Sequence, residues 1–197
     1  MKNIQILLIL CSLTISFACK KKMTTTVIQG VVIDELSQKG IPYASITIYE
    51  INPNVPGAFG TKYFAQKKTD ASGNFSFNFD MDEAKTYRID AYANMYNSSV
   101  GQTPIPFEEN DYRFLLHPIG FVKFHIKNVN PYDSSDYFFM NYTVFKGTTI
   151  DTFLTYPGSA YTSCRTNYTY IKNNQTIDNY KTVTLPAFDT ILVDINY

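Results

Sequence analysis

Residues 69–79 carry the clearest structural signal in the sequence, and they read Thr69-Asp70-Ala71-Ser72-Gly73-Asn74-Phe75-Ser76-Phe77-Asn78-Phe79. The first part has the composition of a tight turn, in which Gly73 can adopt a positive φ without steric cost. In the second part phenylalanine alternates with polar residues, and this period of two is typical of a β-strand with one buried face. The stretch therefore predicts a turn that leads into a half-buried strand.

The same pattern extends in both directions from this strand. Between residues 26 and 197, short runs rich in Val, Ile, Thr, Tyr and Phe are separated by Gly, Pro, Asn and Asp. The predicted strands are 27–33, 44–49, 63–69, 74–79, 87–93, 112–116, 122–127, 137–145, 151–156, 160–171, 181–185 and 190–196. We expect a loop at 100–110, which contains Pro104 and Pro106, and a short helical turn at 80–84.

About twelve short strands with regular turns predict an all-β fold. Strands of this length and spacing favour two antiparallel β-sandwich domains in tandem. The best candidate for the boundary between them is Pro118-Ile119-Gly120, because turn residues there separate two sets of strands. We therefore expect one β-sandwich domain at 26–118 and a second, of unknown type, at 119–197.

The N-terminus has the organisation of a bacterial export signal. Lys2 precedes an apolar run at 4–15, which has the length of a signal-peptide core and is too short to span a bilayer comfortably. Ser16-Phe17-Ala18-Cys19 follows and resembles the lipobox of bacterial lipoproteins, although Leu is commoner than Ser at its first position. The resemblance implies a helical signal peptide at 1–18, lipidation of Cys19 after cleavage, and a tether at 19–25.

This resemblance also implies a location. A lipid-anchored protein of this type sits at the cell outer membrane, on either its periplasmic or its surface side. An ordinary secretory signal peptide, in which Cys19 is incidental, is the alternative interpretation.

The charge balance differs between the N-terminus and the body of the chain. The whole sequence has 17 basic and 17 acidic residues. When the four lysines Lys2, Lys20, Lys21 and Lys22 are set aside, 13 of the 17 basic residues remain against 17 acids, a net charge of −4. A mildly acidic body lacks the basic footprint of a nucleic-acid-binding protein.

Three motifs in the first half resemble a known module. Gln29-Gly30-Val31 lies in the first strand, Gly40-Ile41-Pro42-Tyr43-Ala44 precedes the second, and residues 69–75 form the turn described above. Their order and spacing over 26–116 are similar to those of the carboxypeptidase regulatory-like domain, a transthyretin-like β-sandwich of Bacteroidetes-type lipoproteins and other exported proteins. The resemblance implies an accessory module with no catalytic residues of its own. The segment 51–62 is longer than the corresponding loop of the family.

Few residues in the sequence have the chemistry of a catalytic or metal site. His117 and His125 are its only histidines, and they do not stand at a metal-binding spacing. Phosphate-binding loops and a nucleophile elbow are absent. We interpret His125 as a surface residue and Cys164 as a small apolar side chain on a strand. The sequence thus predicts no metal, no cofactor and no catalytic residue.

Tyrosine is the one functional residue type in surplus, at 16 residues. Aromatic rings beside Asn, Asp and Gln are suited to stack on sugars or to contact a partner protein. We therefore predict a glycan-binding or partner-binding surface in the second domain, formed by Tyr156, Tyr161, Tyr168 and Tyr170. The alternative is that these tyrosines only cover the sheets.

Two functions are compatible with these observations. The leading hypothesis is a non-catalytic, membrane-anchored lipoprotein that binds a partner protein or a glycan and does not bind nucleic acid. The alternative is a cell-envelope hydrolase whose site in the second domain uses Asp133, Asp136 or Asp151 with His125.

Overall fold

A computed structural model describes residues 25–55 and 60–197, and in them the chain forms fourteen β-strands and no α-helix. The strands are β1 (Thr26–Asp34), β2 (Ser45–Ile51), β3 (Thr61–Lys68), β4 (Asn74–Phe79), β5 (Thr86–Tyr92), β6 (Ser99–Gln102), β7 (Glu109–Leu116), β8 (Ile119–Lys127), β9 (Tyr137–Met140), β10 (Thr143–Lys146), β11 (Asp151–Ser159), β12 (Ser163–Lys172), β13 (Gln175–Thr184) and β14 (Thr190–Asn196). The all-β fold class predicted from the sequence is confirmed. The predicted signal peptide and Cys19 lie outside the described residues.

The first half of the chain, β1 to β7, folds into the sheets β4-β1-β7 and β3-β2-β5-β6. Because side chains alternate along a strand, every second residue points into the space between the two sheets. Buried side chains from both sheets form one core there, which includes Ile28, Val32, Ile46, Ile48, Phe75, Tyr87, Ile89, Phe114 and Leu116. The first half is therefore sandwich-like.

The second half, β8 to β14, repeats this organisation with the sheets β11-β8-β14 and β10-β9-β12-β13. Its separate core includes Val122, Phe124, Ile126, Phe138, Met140, Tyr168, Leu185, Ile195 and Tyr197. Among the described residues, no helix has the length and apolar character needed to cross a membrane.

The predicted turn before β4 is present, and its own side chains stabilise it. Asp70 Oδ1 accepts hydrogen bonds of 2.8 Å from the backbone N–H groups of Ser72 and Asn74. Gly73 has a φ of 84°, which only glycine adopts without strain. In the strand that follows, Phe75 is buried in the first core, as its alternation with polar residues predicts.

Two pairs of strands are parallel, although the predicted sandwiches were antiparallel. β1 pairs with β7 and β8 pairs with β14 in parallel, whereas the other eight pairings are antiparallel. In each half the first strand is the central strand of a three-stranded sheet and pairs with the last strand. The chain crosses to the other sheet and back twice, returning first at β4 and β11 and finally at β7 and β14. Alternation within a strand carries no information on this long-range pairing.

Several strand boundaries also differ from the prediction. β13 begins at Gln175, whereas the prediction began at 181. The first six residues of this strand are all exposed, so they lack the alternation of burial that would have marked them as a strand. The predicted loop at 100–110 contains the end of β6, a four-residue strand whose side chains have no apolar period. The predicted strand at 137–145 is the hairpin of β9 and β10, and 80–84 is not helical.

Candidate functional site

The four tyrosines predicted to form a binding surface do not lie on one exposed face. Tyr168 is only 6% exposed, and Tyr156 and Tyr170 pack against the same core. Tyr161, in the turn before β12, is the exposed member, at 65%. The prediction of one common surface is wrong because the other three tyrosines occupy strand positions that face inward, where their rings pack in or against the second core. Tyr168, for example, stacks on Phe138 with ring centroids 5.5 Å apart.

The outward-facing residues of the same strand do form a polar surface with an aromatic ring. Alternation along β12 turns Arg165, Asn167 and Thr169 toward solvent. Opposite them on β13, Asn167 pairs with Tyr180 and Thr169 pairs with Asp178. On β12, this surface therefore consists of the residues that alternate with the predicted tyrosines Tyr168 and Tyr170.

This surface lies where β12 and β13 extend beyond the shorter β9. β9 pairs with β12 only from residue 168 to residue 171, so β12 and β13 continue as two strands beyond the end of β9. The open groove of about 390 Å³ at this surface is lined by Arg165, Asn167, Tyr168, Thr169, Asp178, Asn179 and Tyr180. We call it the β12–β13 groove.

Contacts within the β12–β13 groove hold its polar groups in place. The Arg165 guanidinium carbon lies 3.9 Å from the centroid of the Tyr180 ring, and Arg165 Nε donates a hydrogen bond of 3.3 Å to Asn167 Oδ1. Thr169 Oγ1 donates a hydrogen bond of 2.6 Å to Asp178 Oδ1. The groove thus combines a cation–π pair with amide, hydroxyl and carboxylate groups, and Tyr180 remains 51% exposed.

A second cluster of titratable groups lies on the outer face of the other sheet of this half. His125 Nε2 is 2.7 Å from Asp151 Oδ1, and its Nδ1 is 2.9 Å from Asp194 Oδ1. The hydrogen bond to Asp151, followed by that to Asp194, raises the pKa of His125. Since carboxylates only accept hydrogen bonds, both ring nitrogens donate, and neither is free to take a proton from a substrate. Phe153 stacks on the ring at 4.6 Å between centroids.

The acids named for the alternative hydrolase site are not gathered around His125. Asp136 is fully buried and accepts hydrogen bonds from Asn128 Nδ2 at 2.8 Å and from the Tyr132 backbone N–H at 2.9 Å. Asp133 accepts hydrogen bonds from Ser135 in its own loop. Of the three acids, the structure brings Asp151 to the histidine, while Asp133 and Asp136 serve a separate network.

The remaining candidate residue, Cys164, packs half-buried against the second core, with its Sγ 3.9 Å from Thr166 Oγ1. Over residues 25–55 and 60–197, no three His, Cys, Asp or Glu side chains are arranged to hold a metal ion. Among the surfaces described above, the β12–β13 groove is the one that combines a half-exposed aromatic ring with amide and carboxylate side chains, and we take it as the candidate binding site.

Comparisons with known proteins give weak structural similarities and no family. The sequence matches no protein-family model and no curated protein. The TIE protein of Bacillus anthracis is 14% identical over 88% of this chain and 34% of that chain, with a TM-score of 0.39. A minor pilin of Streptococcus agalactiae is 11% identical over 87% and 94% of the two chains, with a TM-score of 0.39.

An enzyme is found among the similar structures as well. The 3-chlorocatechol 1,2-dioxygenase from Rhodococcus opacus is 11% identical over 50% of this chain and 61% of that chain, with a TM-score of 0.32. This chain thus spans about a third of the TIE protein and less than two thirds of the dioxygenase. These similarities are too low to assign a family or a function.

Proposed function

We propose that this protein is a non-catalytic binding module of the cell envelope, and that its second half binds a saccharide through the β12–β13 groove. Its lipid anchor is Cys19, which holds it at the outer membrane. The lipobox-like sequence Ser16-Phe17-Ala18-Cys19 supports the anchor. The carboxypeptidase regulatory-like motifs of the first half support an accessory rather than a catalytic role.

The chemistry of the groove is the observation that carries the saccharide assignment. Sugars present apolar C–H faces, which stack on aromatic rings, and hydroxyl groups, which exchange hydrogen bonds with planar polar side chains. The exposed Tyr180 ring provides the first type of contact. Asn167, Asp178 and Arg165 stand within the same groove and provide the second.

Removal of the Tyr180 ring tests the proposal. We expect the intact protein to bind members of an array of neutral, acidic and amino-sugar-containing oligosaccharides, and Tyr180→Ala to weaken that binding by at least about tenfold, as loss of an aromatic contact of about 1.4 kcal/mol implies. Tyr132→Ala is the matched control, because Tyr132 is 60% exposed in a loop outside the groove. Equal loss in both variants, or no binding by the wild type, would argue against the groove.

Metabolic labelling tests the anchor independently. In a bacterial host, radioactive palmitate is expected to label the wild-type protein, and Cys19→Ala is expected to abolish the labelling because the acylated thiol is removed. The variant should also leave the membrane fraction. A wild-type protein that takes up no label would contradict the lipoprotein assignment, whatever the groove binds.

A further inference from the structure

The connection between the two halves of the chain is held by a histidine that contacts both. His117 lies in the two-residue link between β7 and β8, which joins the two sandwich-like halves of the chain. Its Nδ1 is 2.9 Å from Glu35 Oε2, which belongs to the first half. Its Nε2 is 2.9 Å from the carbonyl oxygen of Ala160, which belongs to the second half.

Both partners of His117 accept hydrogen bonds and donate none. A carbonyl oxygen is an acceptor, and an ionised carboxylate is an acceptor as well. The two contacts therefore exist together only when both ring nitrogens carry a proton, which makes the ring an imidazolium. A neutral ring has one N–H and must give up either Glu35 or Ala160.

Neighbouring contacts converge on the same junction and can transmit the change. Backbone hydrogen bonds join Asn97 N–H to the His117 carbonyl and Ala160 N–H to the Pro118 carbonyl, both at 2.9 Å. The rings of Tyr96 and Phe188 meet edge to face across the two halves, with centroids 5.2 Å apart. Contacts from both halves therefore meet at this junction, and the His117 ring is a titrating group that touches both sides.

We propose that His117 is a proton-operated latch, which fixes the orientation of the β12–β13 groove relative to the first half when the imidazole is protonated and releases it when the proton is lost. The latch is independent of what the groove binds. It rests on the geometry of Glu35, His117 and Ala160 alone.

The charged groups around the ring set the direction of the response. From the first half, Glu35 and Asp34 face it with negative charge, and Tyr96 donates a hydrogen bond of 2.9 Å to Asp34 Oδ2. From the second half, the neutral Ala160 carbonyl faces it. Burial and the bond to Asp34 raise the pKa of Tyr96 to about 12, so Tyr96 stays neutral as the histidine titrates.

The hydrogen bond to Ala160, together with that to Glu35, raises the pKa of His117. A group whose pKa is raised by folding contributes its full stabilisation below its unfolded pKa of about 6.5, and that contribution is lost as the pH rises through the folded pKa. The latch is therefore closed in mildly acidic solution and opens toward alkaline pH.

Hydrogen exchange of the intact protein from pH 5.5 to pH 9, corrected for the intrinsic rates, tests this latch. We expect the protection factors of the Asn97 and Ala160 amides to fall by about tenfold across the titration, while amides of the two cores stay protected. His117→Gln should remove this pH dependence. His125→Gln is the matched control, because His125 also titrates but lies away from the junction.

A second variant keeps the test decisive if His117→Gln folds poorly. Glu35→Gln keeps an acceptor for the ring and removes the negative charge, so the fall in protection should move to lower pH. Protection at Asn97 and Ala160 that ignores pH in the wild type would overturn the latch. It would also be overturned if His125→Gln abolished the pH dependence, or if Glu35→Gln left its midpoint unchanged.

Discussion

At the scale of single residues, one buried carboxylate organises the loop that leads into β9. Asp136 is fully buried, and its carboxylate accepts hydrogen bonds from Asn128 and Tyr132. Burial alone would raise its pKa, but the hydrogen bonds from Asn128, Tyr132 and Asp133 hold the pKa of Asp136 below its usual value. The charged form is therefore the one that the fold stabilises.

Replacement of this carboxylate should destabilise the second half. Asp136→Ala leaves the Asn128 amide and the Tyr132 N–H without their acceptor, which should lower the free energy of unfolding by about 2–4 kcal/mol at pH 7. Because folding lowers the pKa of Asp136, this contribution is present above about pH 4 and is lost as the pH falls through the folded pKa. Urea unfolding at pH 7 and at pH 3 measures both effects.

The matched control lies in the same loop. Asp133 is exposed, so Asp133→Ala should cost less than about 1 kcal/mol. Equal costs for the two variants, or a cost at Asp136 that persists undiminished at pH 3, would contradict this account of the loop.

The predicted tyrosine surface shows what the identity of single residues does not reveal. The sequence places Tyr168 and Tyr170 on one face of a strand, and the structure agrees. Whether that face is the inner or the outer one depends on the neighbouring sheet, which no local pattern specifies. Thr166 lies on the same inner face and is only 6% exposed, although it is polar. A hydroxyl group therefore does not indicate that a side chain of this strand faces solvent.

At the scale of elements, one glycine allows the central strand of the first half to lie beside β7. Gly30 in β1 has a φ of 148°, and a Cβ built on it would stand 1.9 Å from the carbonyl oxygen of Tyr112. Backbone cannot yield to such a contact without separating β1 from β7. The close approach of Tyr112 is therefore a physical reason for a glycine at this position of β1.

Gly30→Ala should therefore disrupt the parallel pair of β1 and β7. We expect it to lower the free energy of unfolding by at least about 2 kcal/mol, measured by denaturant titration. Gly147→Ala is the control, because Gly147 has a φ of 115° but no atom within 4 Å of its would-be Cβ. If both variants lost the same stability, the strained φ and not the approach of Tyr112 would be the cause.

Strand prediction succeeded where one face of a strand is buried and failed where neither is. β4 and β14 were predicted to the residue, and burial alternates along both strands. The first six residues of β13 are exposed, and that strand was placed too late. An edge strand of this kind is specified by its partner β12, and this information is not local.

At the scale of the whole molecule, the chain consists of two sandwich-like halves with separate cores. The sequence predicted the all-β class because strand periodicity and turn residues recur along its whole length. It could not predict that the first and last strands of each half are parallel neighbours, since this pairing joins residues more than 60 positions apart, as in Val27 with Glu109 and Ile126 with Ile195.

The β12–β13 groove was not predicted for the same reason, because it too depends on which strands are neighbours. The β12–β13 groove lies where β12 and β13 extend beyond β9, and alternation along β12 turns Arg165 and Asn167 toward solvent beside Tyr180. The sequence shows that this strand carries tyrosine and amide residues. It does not show which strands pair with β12 or how far they extend along it. The binding role proposed for the groove is thus a property of the assembled sheet.

The most direct test of this role is a nuclear magnetic resonance titration of the intact protein with the oligosaccharide that binds most strongly on the array. We expect chemical-shift changes to be largest for the amides of Arg165, Asn167, Thr169, Asp178 and Tyr180, which line the groove. Tyr180→Ala should abolish these changes and leave the rest of the spectrum in place. Shift changes centred on the first half, or on the face around His125, would contradict the central claim.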